Sequence, residues 1–502
     1  MRTSGRSLVW GATLVLAVTS ACSGGQGEEN TETASAGSET ATTGGTTASE
    51  TTGGSSTGTV TSTGTATDTS TGTGTTAGAT TDTDTESGTD TGTDGDEPAA
   101  GLFIARADLD RAKMRIASGD PLWETQRSLV EGRANTALGM TADPFHMDDV
   151  LMIEFGWCGG NDDVDNTLSE ATSKFEKQSD PIRTLALQYA LTGDAQYADK
   201  SVELMLAWAA EQTIVNLYDF NIDFAAGSFA GMTDDGFCGV RPWNFTLDTM
   251  WQTYGLINVA DAYLLLTRNG YALDPEDDAA LRDWIGRLIA AVDSSFHAWT
   301  KWADAHPNSG SYERYRSDNH LSWALTGIVA GAAALEDEAL AAYVLEGGSW
   351  THPQGGAYAN PSSIRAVIDL AIEADGRIYE EKILRDPPIG YSFFHLWAMS
   401  VVARVAAVHF EGDGDPGVWE FIGEDGGGIR TAYDRYAGFI DGSKMSPEPQ
   451  QEGDLTNYRW LYETASARWQ APEHLAIIEA DDRNTWINQS IGAVPLLIGV
   501  DE

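Results

Sequence analysis

From residue 181 to residue 408 the chain repeats one unit: an apolar stretch of helical period, a turn bearing Gly, Pro or Asp, and a second such stretch. Residues 181–191 carry Ile182, Leu185, Ala186, Tyr189 and Ala190 at helical spacing, and Thr192, Gly193 and Asp194 make the turn. Residues 195–210 return with Tyr197, Ala198, Val202, Met205, Leu206 and Trp208 in the same rhythm. The pattern recurs over 246–267, 275–298, 319–335, 338–345, 362–374 and 391–408, and no sustained alternation of period two competes with it. An amphipathic helix buries its apolar stripe only against another element. A long succession of antiparallel helix pairs therefore implies a helical toroid or solenoid. Two stretches lack the pattern and read as long loops: 145–178, rich in Gly and Asp, and 217–243, rich in Gly and Phe.

The other end of the chain cannot fold this way. It opens with Arg2 and Arg6, an apolar run over 8–18, and the small residues Thr19, Ser20 and Ala21 before Cys22. That is the form of a secretory signal, and the run is far short of the ~20 residues of a membrane-spanning helix. Small residues directly before a cysteine resemble a bacterial lipobox, which predicts cleavage before Cys22 and lipidation of its thiol. Ser23 in the next position predicts passage to the outer membrane or cell surface. Residues 23–100 are almost wholly Thr, Ser, Gly, Ala and scattered acids, with no aromatic and no basic residue. Such a segment buries too little apolar surface to offset its ordering entropy, so it reads as a disordered tether. The division expected is thus a signal over 1–22, a linker over 23–100 and a helical domain over 101–502.

Charge narrows the partners. Of 75 acidic residues 13 lie in the tether, and of 30 basic residues two lie in the signal, which leaves the domain at −34. Nucleic acid is excluded as a partner. An anionic polymer is repelled at long range unless salt screens the field over the ~8 Å Debye length of physiological solution. Membrane contact is expected only through the lipid, and a monomer is expected. Beyond Cys22 the chain has only Cys158 and Cys238, in similar Gly-rich loops, and in an exported protein such a pair reads as a disulfide. Neither Cys-x-x-Cys nor His-x-x-x-His occurs, so no metal site and no cofactor are expected.

The chemistry concentrates in the second half. Asn319 and His320 stand together after Asp318, and Arg385 and Tyr391 follow after Asp375-Gly376 and Glu380-Glu381. These groups suit β-elimination beside a uronate carboxylate. The hydrogen at C5 is hard to remove while that carboxylate is ionised, and donors at the carboxylate stabilise the enolate-like transition state. Asn319 offers two N–H bonds, His320 one or two, and Arg385 a forked guanidinium. Tyr391 is the expected base and, on the same face, the acid for the departing glycosidic oxygen. A phenol of ordinary pKa about 10 needs an electropositive setting for that work. Trp323 and Arg316 are expected to touch substrate, and Trp299, Trp302 and Trp460 are further stacking candidates.

Four stretches together resemble the alginate lyase family of polysaccharide lyases. They are Leu185 to Asp194 with Tyr197-Ala198 and Ala207-Trp208; Asn319-His320 with Trp323; Asp375-Gly376 with Glu381 and Arg385; and Tyr391-Ser392-Phe393. The resemblance spans about 180–410 and implies an all-α, incomplete (α/α) toroid that cleaves a uronate polysaccharide by elimination. Asp318 stands where the family has a further Asn, and Asp386-Pro387-Pro388 interrupts a stretch that is usually more basic.

Each residue also has a plainer reading. His320 can be a core histidine at a helix start, Asn319 a helix cap, Tyr391 an apolar contact, and Glu380 and Glu381 members of a charge network. His297, His306, His352, His395, His409 and His474 share no spacing and read as structural or surface residues. Two other functions fit a secreted helical toroid. An inverting glycoside hydrolase needs two carboxyls ~6.5–9.5 Å apart, and no pair is singled out by its setting. A surface lipoprotein that captures glycans needs only aromatic platforms.

Overall fold

The computed structural model describes residues 99–145, 161–212, 252–305, 314–351, 357–360, 362–412 and 417–480, with a few isolated positions besides. All belong to one unit that starts at Gly92. The principal helices are α1 Arg106–Ser118, α2 Pro121–Ala137, α3 Asn161–Thr192, α4 Ala195–Glu211, α5 Thr253–Thr267, α6 Pro275–Ala305 and α7 Asn319–Leu335. They continue with α8 Glu338–Glu346, α9 Ile364–Ala371, α10 Pro388–His409, α11 Ile429–Ile440, α12 Leu461–Trp469 and α13 Pro472–Glu479. Their ends follow local chemistry. Asp194, Asp318, Asp337 and Ser363 accept backbone N–H bonds at the starts of α4, α7, α8 and α9. Proline occupies the first turn of α2, α10 and α13. Gly193, at φ 73°, makes the turn between α3 and α4 that the sequence predicts.

Cross-helix partners fix the direction of each helix. Ser322 and Thr326 of α7 meet His395 and Ala398 of α10, at separations of 73 and 72 residues, so the two helices run parallel. Thr253 and Leu256 of α5 meet Trp323 and Gly331 of α7, again in parallel order. Phe175 and Ser179 of α3 meet Gly255 and Asn258 of α5 in the same sense. The return helices oppose them: Ser201 and Trp208 of α4 bond Ile182 and Gln178 of α3, and Arg282 of α6 bonds Leu335 of α7. An inner layer of parallel helices backed by antiparallel returns is an incomplete (α/α) toroid. Close approach is built into it. A Cβ on Gly327 would lie 2.1 Å from Thr253 Oγ1, whose hydroxyl donates to the Trp323 carbonyl at 2.8 Å.

Parallel inner helices give the layer two unlike ends. At the C-terminal end, residues 99–105 cross between α5 and α10 and are sealed there. Leu102 N–H donates to Asp261 Oδ1 at 2.8 Å, Asn269 Nδ2 to the Ala100 carbonyl at 2.8 Å, and Arg404 Nε to the Phe103 carbonyl at 2.8 Å. Leu102, Phe103 and Ile104 are fully buried, each worth ~1.5–3 kcal/mol in transfer free energy. The N-terminal end carries Asn319, His320 and Tyr391. Helix α10 has the length and apolarity of a membrane span, but it is buried as the centre of this layer.

The structure revises several sequence expectations. Residues 161–178 are not loop: they form the first half of α3, which runs on through Pro181 without ending there. Helix α10 begins at Pro388 rather than Tyr391, which moves Tyr391 into its first turn. Helix α6 extends to Ala305, and α9 is shorter than the 362–374 predicted. Two short antiparallel pairs, Ile222–Asp223 with Ser228–Phe229 and Gly348–Thr351 with Ala357–Asn360, join the helices. Cys22, Cys158, Cys238, His306, His352 and nearly all of 217–243 lie outside the described residues.

Candidate active site

Asp318, not Asn319, caps α7. One carboxylate oxygen accepts the His320 N–H at 3.1 Å and the other faces His320 Nδ1 at 2.7 Å. A carboxylate only accepts, so the proton on that ring edge is on Nδ1, and the bond fixes the ring with Nε2 turned away from Asp318. Asn319 is thereby free of capping duty. Its backbone N–H donates to Glu380 Oε1 at 2.9 Å. Its side chain belongs to a residue 1% exposed, and neither Oδ1 nor Nδ2 has a hydrogen bond among the described residues.

The second half of the site sits at the start of α10. The Arg385 guanidinium lies 4.0 Å above the centroid of the Tyr391 ring, an arrangement that brings fixed positive charge to the phenol. Arg385 Nη1 is buried without a hydrogen bond among the described residues. Its backbone N–H donates to the Glu380 carbonyl at 2.9 Å. Tyr391 is 7% exposed.

One buried chain joins the two halves. Glu380, fully buried, accepts Asn319 N–H on one oxygen and faces His395 Nδ1 at 2.9 Å on the other. His395 Nε2 then meets Ser322 Oγ at 2.6 Å. Ser322 lies one turn into α7 and His395 one turn beyond Tyr391, so both site-bearing helix starts are held at one level. Asp375 and Gly376 form the turn that sets this up. Gly376 has φ 81°, and a Cβ there would lie 2.1 Å from the Thr431 carbonyl oxygen. Glu381, next to Glu380, is clasped by Arg435 at 3.0 and 2.5 Å and by the Tyr436 hydroxyl at 2.8 Å. The charge-network reading of Glu380 and Glu381 therefore holds.

Electrostatics decide which groups can meet an anion. Helix N-termini ordinarily attract one, but these are already occupied by carboxylates: Asp318 and Glu380 at α7, and Glu452 at α10. Glu452 accepts Ile389 and Gly390 N–H at 2.8 and 3.0 Å. Any anion at these helix starts thus meets side chains rather than open backbone N–H groups, and Asn319, His320 and Arg385 are the donor side chains found there.

Other expected residues stand elsewhere. Trp323 was expected to touch substrate, but it is fully buried. Tyr254, Phe394 and Trp397 pack around its ring at centroid distances of 5.0, 5.0 and 5.1 Å, so it supports the fold beneath the site. Trp460 is buried against Trp397 at 4.8 Å. The side chains of Trp299 and Trp302 lie outside the described residues. Arg316 is half-buried in the helical turn Arg314–Ser317 just before the cap. Sequence reading missed two positioning residues. His395 carries a signal, since it follows Tyr391 by one helical turn. Glu452 carries none, because it arrives from a distant segment.

Comparison with known proteins agrees with this architecture. The family model described as alginate lyase matches residues 159–445. An alginate lyase from Bacteroides ovatus superposes at a TM-score of 0.51 and 18% identity, over 80% of this chain and 100% of that one, and it shares the fold. A variant of alginate lyase A1-III complexed with a tetrasaccharide gives 0.46 at 14% identity, over 83% and 99%. Alginate lyase A1-III from Sphingomonas species A1 gives 0.41 at 14% identity, over 75% and 94%. No curated protein matches the chain.

Proposed function

The chain belongs to the alginate lyase family and is a polysaccharide lyase, and we propose that it cleaves an alginate-like uronate polymer through Asn319, His320, Arg385 and Tyr391. One observation carries the assignment of residues. The Asn319 amide is buried without a hydrogen bond among the described residues, beside an imidazole whose orientation Asp318 fixes. A buried polar group left unsatisfied costs about 1–3 kcal/mol, and a substrate carboxylate is the acceptor its N–H₂ group suits.

The reaction follows from that contact. The amide of Asn319, the ring of His320 and the guanidinium of Arg385 hold the uronate carboxylate and take up the charge that builds on it as C5 loses its proton. Tyr391, ionised under Arg385, removes that proton. The C4–O bond then breaks, the C4–C5 double bond forms, and the Tyr391 hydroxyl returns a proton to the departing oxygen. The protein ends the cycle as it began. We place the enzyme outside the cytoplasm, on a lipid at Cys22 and a polar leash over 23–100, on the strength of its signal-like start and tether composition. A Cys158–Cys238 disulfide belongs to the same reading.

The test follows unsaturated products by ultraviolet absorbance on alginate, poly-mannuronate, glucuronan and glycosaminoglycans. Absorbance should rise with one uronate polymer. It should fall by ~10²-fold or more in His320→Ala and in Tyr391→Phe, with thermal melts close to wild type. New reducing ends without absorbance would replace elimination by hydrolysis. Neither signal on any polymer would leave glycan capture as the function.

A further inference from the structure

Away from the site, the start of α13 meets α11 at a cluster of unlike donors. Asp434, Glu473 and His474 each offer one ligand atom, and these atoms lie within 4.8 Å of one another. Asp434 and Glu473 are exposed, while His474 is fully buried. The imidazole is walled by Tyr462, Tyr433 and Trp469 at centroid distances of 5.3, 6.0 and 6.2 Å. Neither ring nitrogen makes a hydrogen bond among the described residues. Nε2 lies 3.1 Å from Asp434 Oδ1, close enough for an ion pair but outside hydrogen-bond alignment.

That combination needs an explanation. A buried imidazole ordinarily satisfies at least one nitrogen. A protonated ring pairs with Asp434 through Nε2 but leaves buried Nδ1 without a hydrogen bond, and a neutral ring that turns its Nε2 lone pair to that carboxylate is repelled. A cation shared by Nε2 and the carboxylates removes that repulsion. We propose that Asp434, Glu473 and His474 form a site for a divalent transition-metal ion of the zinc type.

One imidazole and two carboxylates match the borderline character of such an ion. The burial of the ring and its aromatic walls fix one ligand in place. The two exposed carboxylates can swing in from separations of at most 4.8 Å to the roughly 3.3–3.6 Å between tetrahedral ligands that make ~2.0–2.2 Å zinc bonds. The partial positive charge at the start of α13 opposes a cation, but two full carboxylate charges outweigh it. The site ties α13 to α11, so its occupancy bears on stability. Its donors come from two helices, which is why no spacing motif announces it.

The test uses the full chain, stripped with a chelator and titrated with Zn²⁺ by calorimetry, then with Co²⁺ to read the visible absorbance of a coordinated ion. One saturable equivalent is expected, with a rise in melting temperature on adding metal. Asp434→Asn combined with Glu473→Gln removes both carboxylates and, with Asp434, the ion pair to His474, so its response to metal is read against its own metal-free melt. Its affinity should fall by more than the ~10–100-fold typical of losing one outer-shell partner. His474→Gln should abolish the Co²⁺ absorbance. Absence of a saturable equivalent overturns the site, as does binding unchanged in the double variant, which would assign the metal to the acidic tether or another surface.

Discussion

Glu380 is the residue that joins the two halves of the candidate site. Its two oxygens serve Asn319 N–H and His395 Nδ1, and removing both bonds at once leaves buried donors stranded. Glu380→Ala is expected to cost roughly 3 kcal/mol of stability and to lower kcat more than it raises KM, because both helix starts lose their common anchor. Glu380→Gln should be much milder. The His395 ring can exchange its proton between nitrogens and accept from the new amide while donating to Ser322. Thermal melts and steady-state kinetics on both variants check this, and a Gln variant as damaged as the Ala variant would show that the carboxylate charge matters more than the bonds. At this scale the sequence was legible where local order decides: Asn319-His320 and the stretch from Arg385 to Tyr391 fall at two helix starts that the structure joins through Glu380 and His395. Trp323 misled, since an aromatic beside polar residues looks the same whether it faces a sugar or a core. Glu452 was invisible, because a cap supplied from a distant segment leaves no local trace.

Among the elements, the crossing segment 99–105 has the most unusual electrostatics. Burial pushes the Asp261 carboxyl up to about 6, against the opposing influence of Arg183 and of the Leu102 N–H bond. Burial also pushes His409, whose Nε2 faces the Gly101 and Leu102 carbonyls at 3.2 and 3.1 Å, down to about 4. The two act in opposite senses. The folded state holds the Asp261 proton more tightly than the unfolded chain does. Its contribution is therefore full below the ordinary carboxyl range and is lost as pH rises through about 6. The contribution of His409 is present above the ordinary imidazole range and is lost as pH falls through about 4. Asp261→Asn keeps an acceptor for Leu102 and removes only the first effect. The variant should match wild type at pH 4 and exceed it at pH 7 by up to ~3 kcal/mol. Urea unfolding at the two pH values checks it, and an equal gap at both would sink the idea. Helix positions were legible from apolar period and caps, as Asp194, Gly193 and Asp318 illustrate. The first half of α3 was not. Its Gly-poor but acid-rich face resembles a loop, and Pro181 resembles a start.

Across the whole molecule, charge and architecture pull in different directions. A domain at −34 that takes a uronate polymer must admit a polyanion against its own charge, and Glu452, Asp318 and Glu380 add local repulsion at the two helix starts. Screening should help it. Raising NaCl from about 10 mM to about 150 mM shortens the Debye length from ~30 to ~8 Å, so KM for a uronate polymer should fall several-fold while kcat changes little. A KM that rises with salt would mean that local attraction by Arg385 and His320 dominates the encounter. Sequence periodicity implied a layered helical body, but its parallel inner layer with unlike ends emerges only from pairs such as Ser322 with His395. The sealing of residues 99–105 has a further consequence, for the order of assembly. Gly101 and Leu102 meet His409 across 308 and 307 residues of chain. Residues 101 and 102 therefore wait for nearly the last inner helix before they can settle. Contacts closed over such spans are slow to form, so the seal over the C-terminal end of the inner layer is a late event in folding.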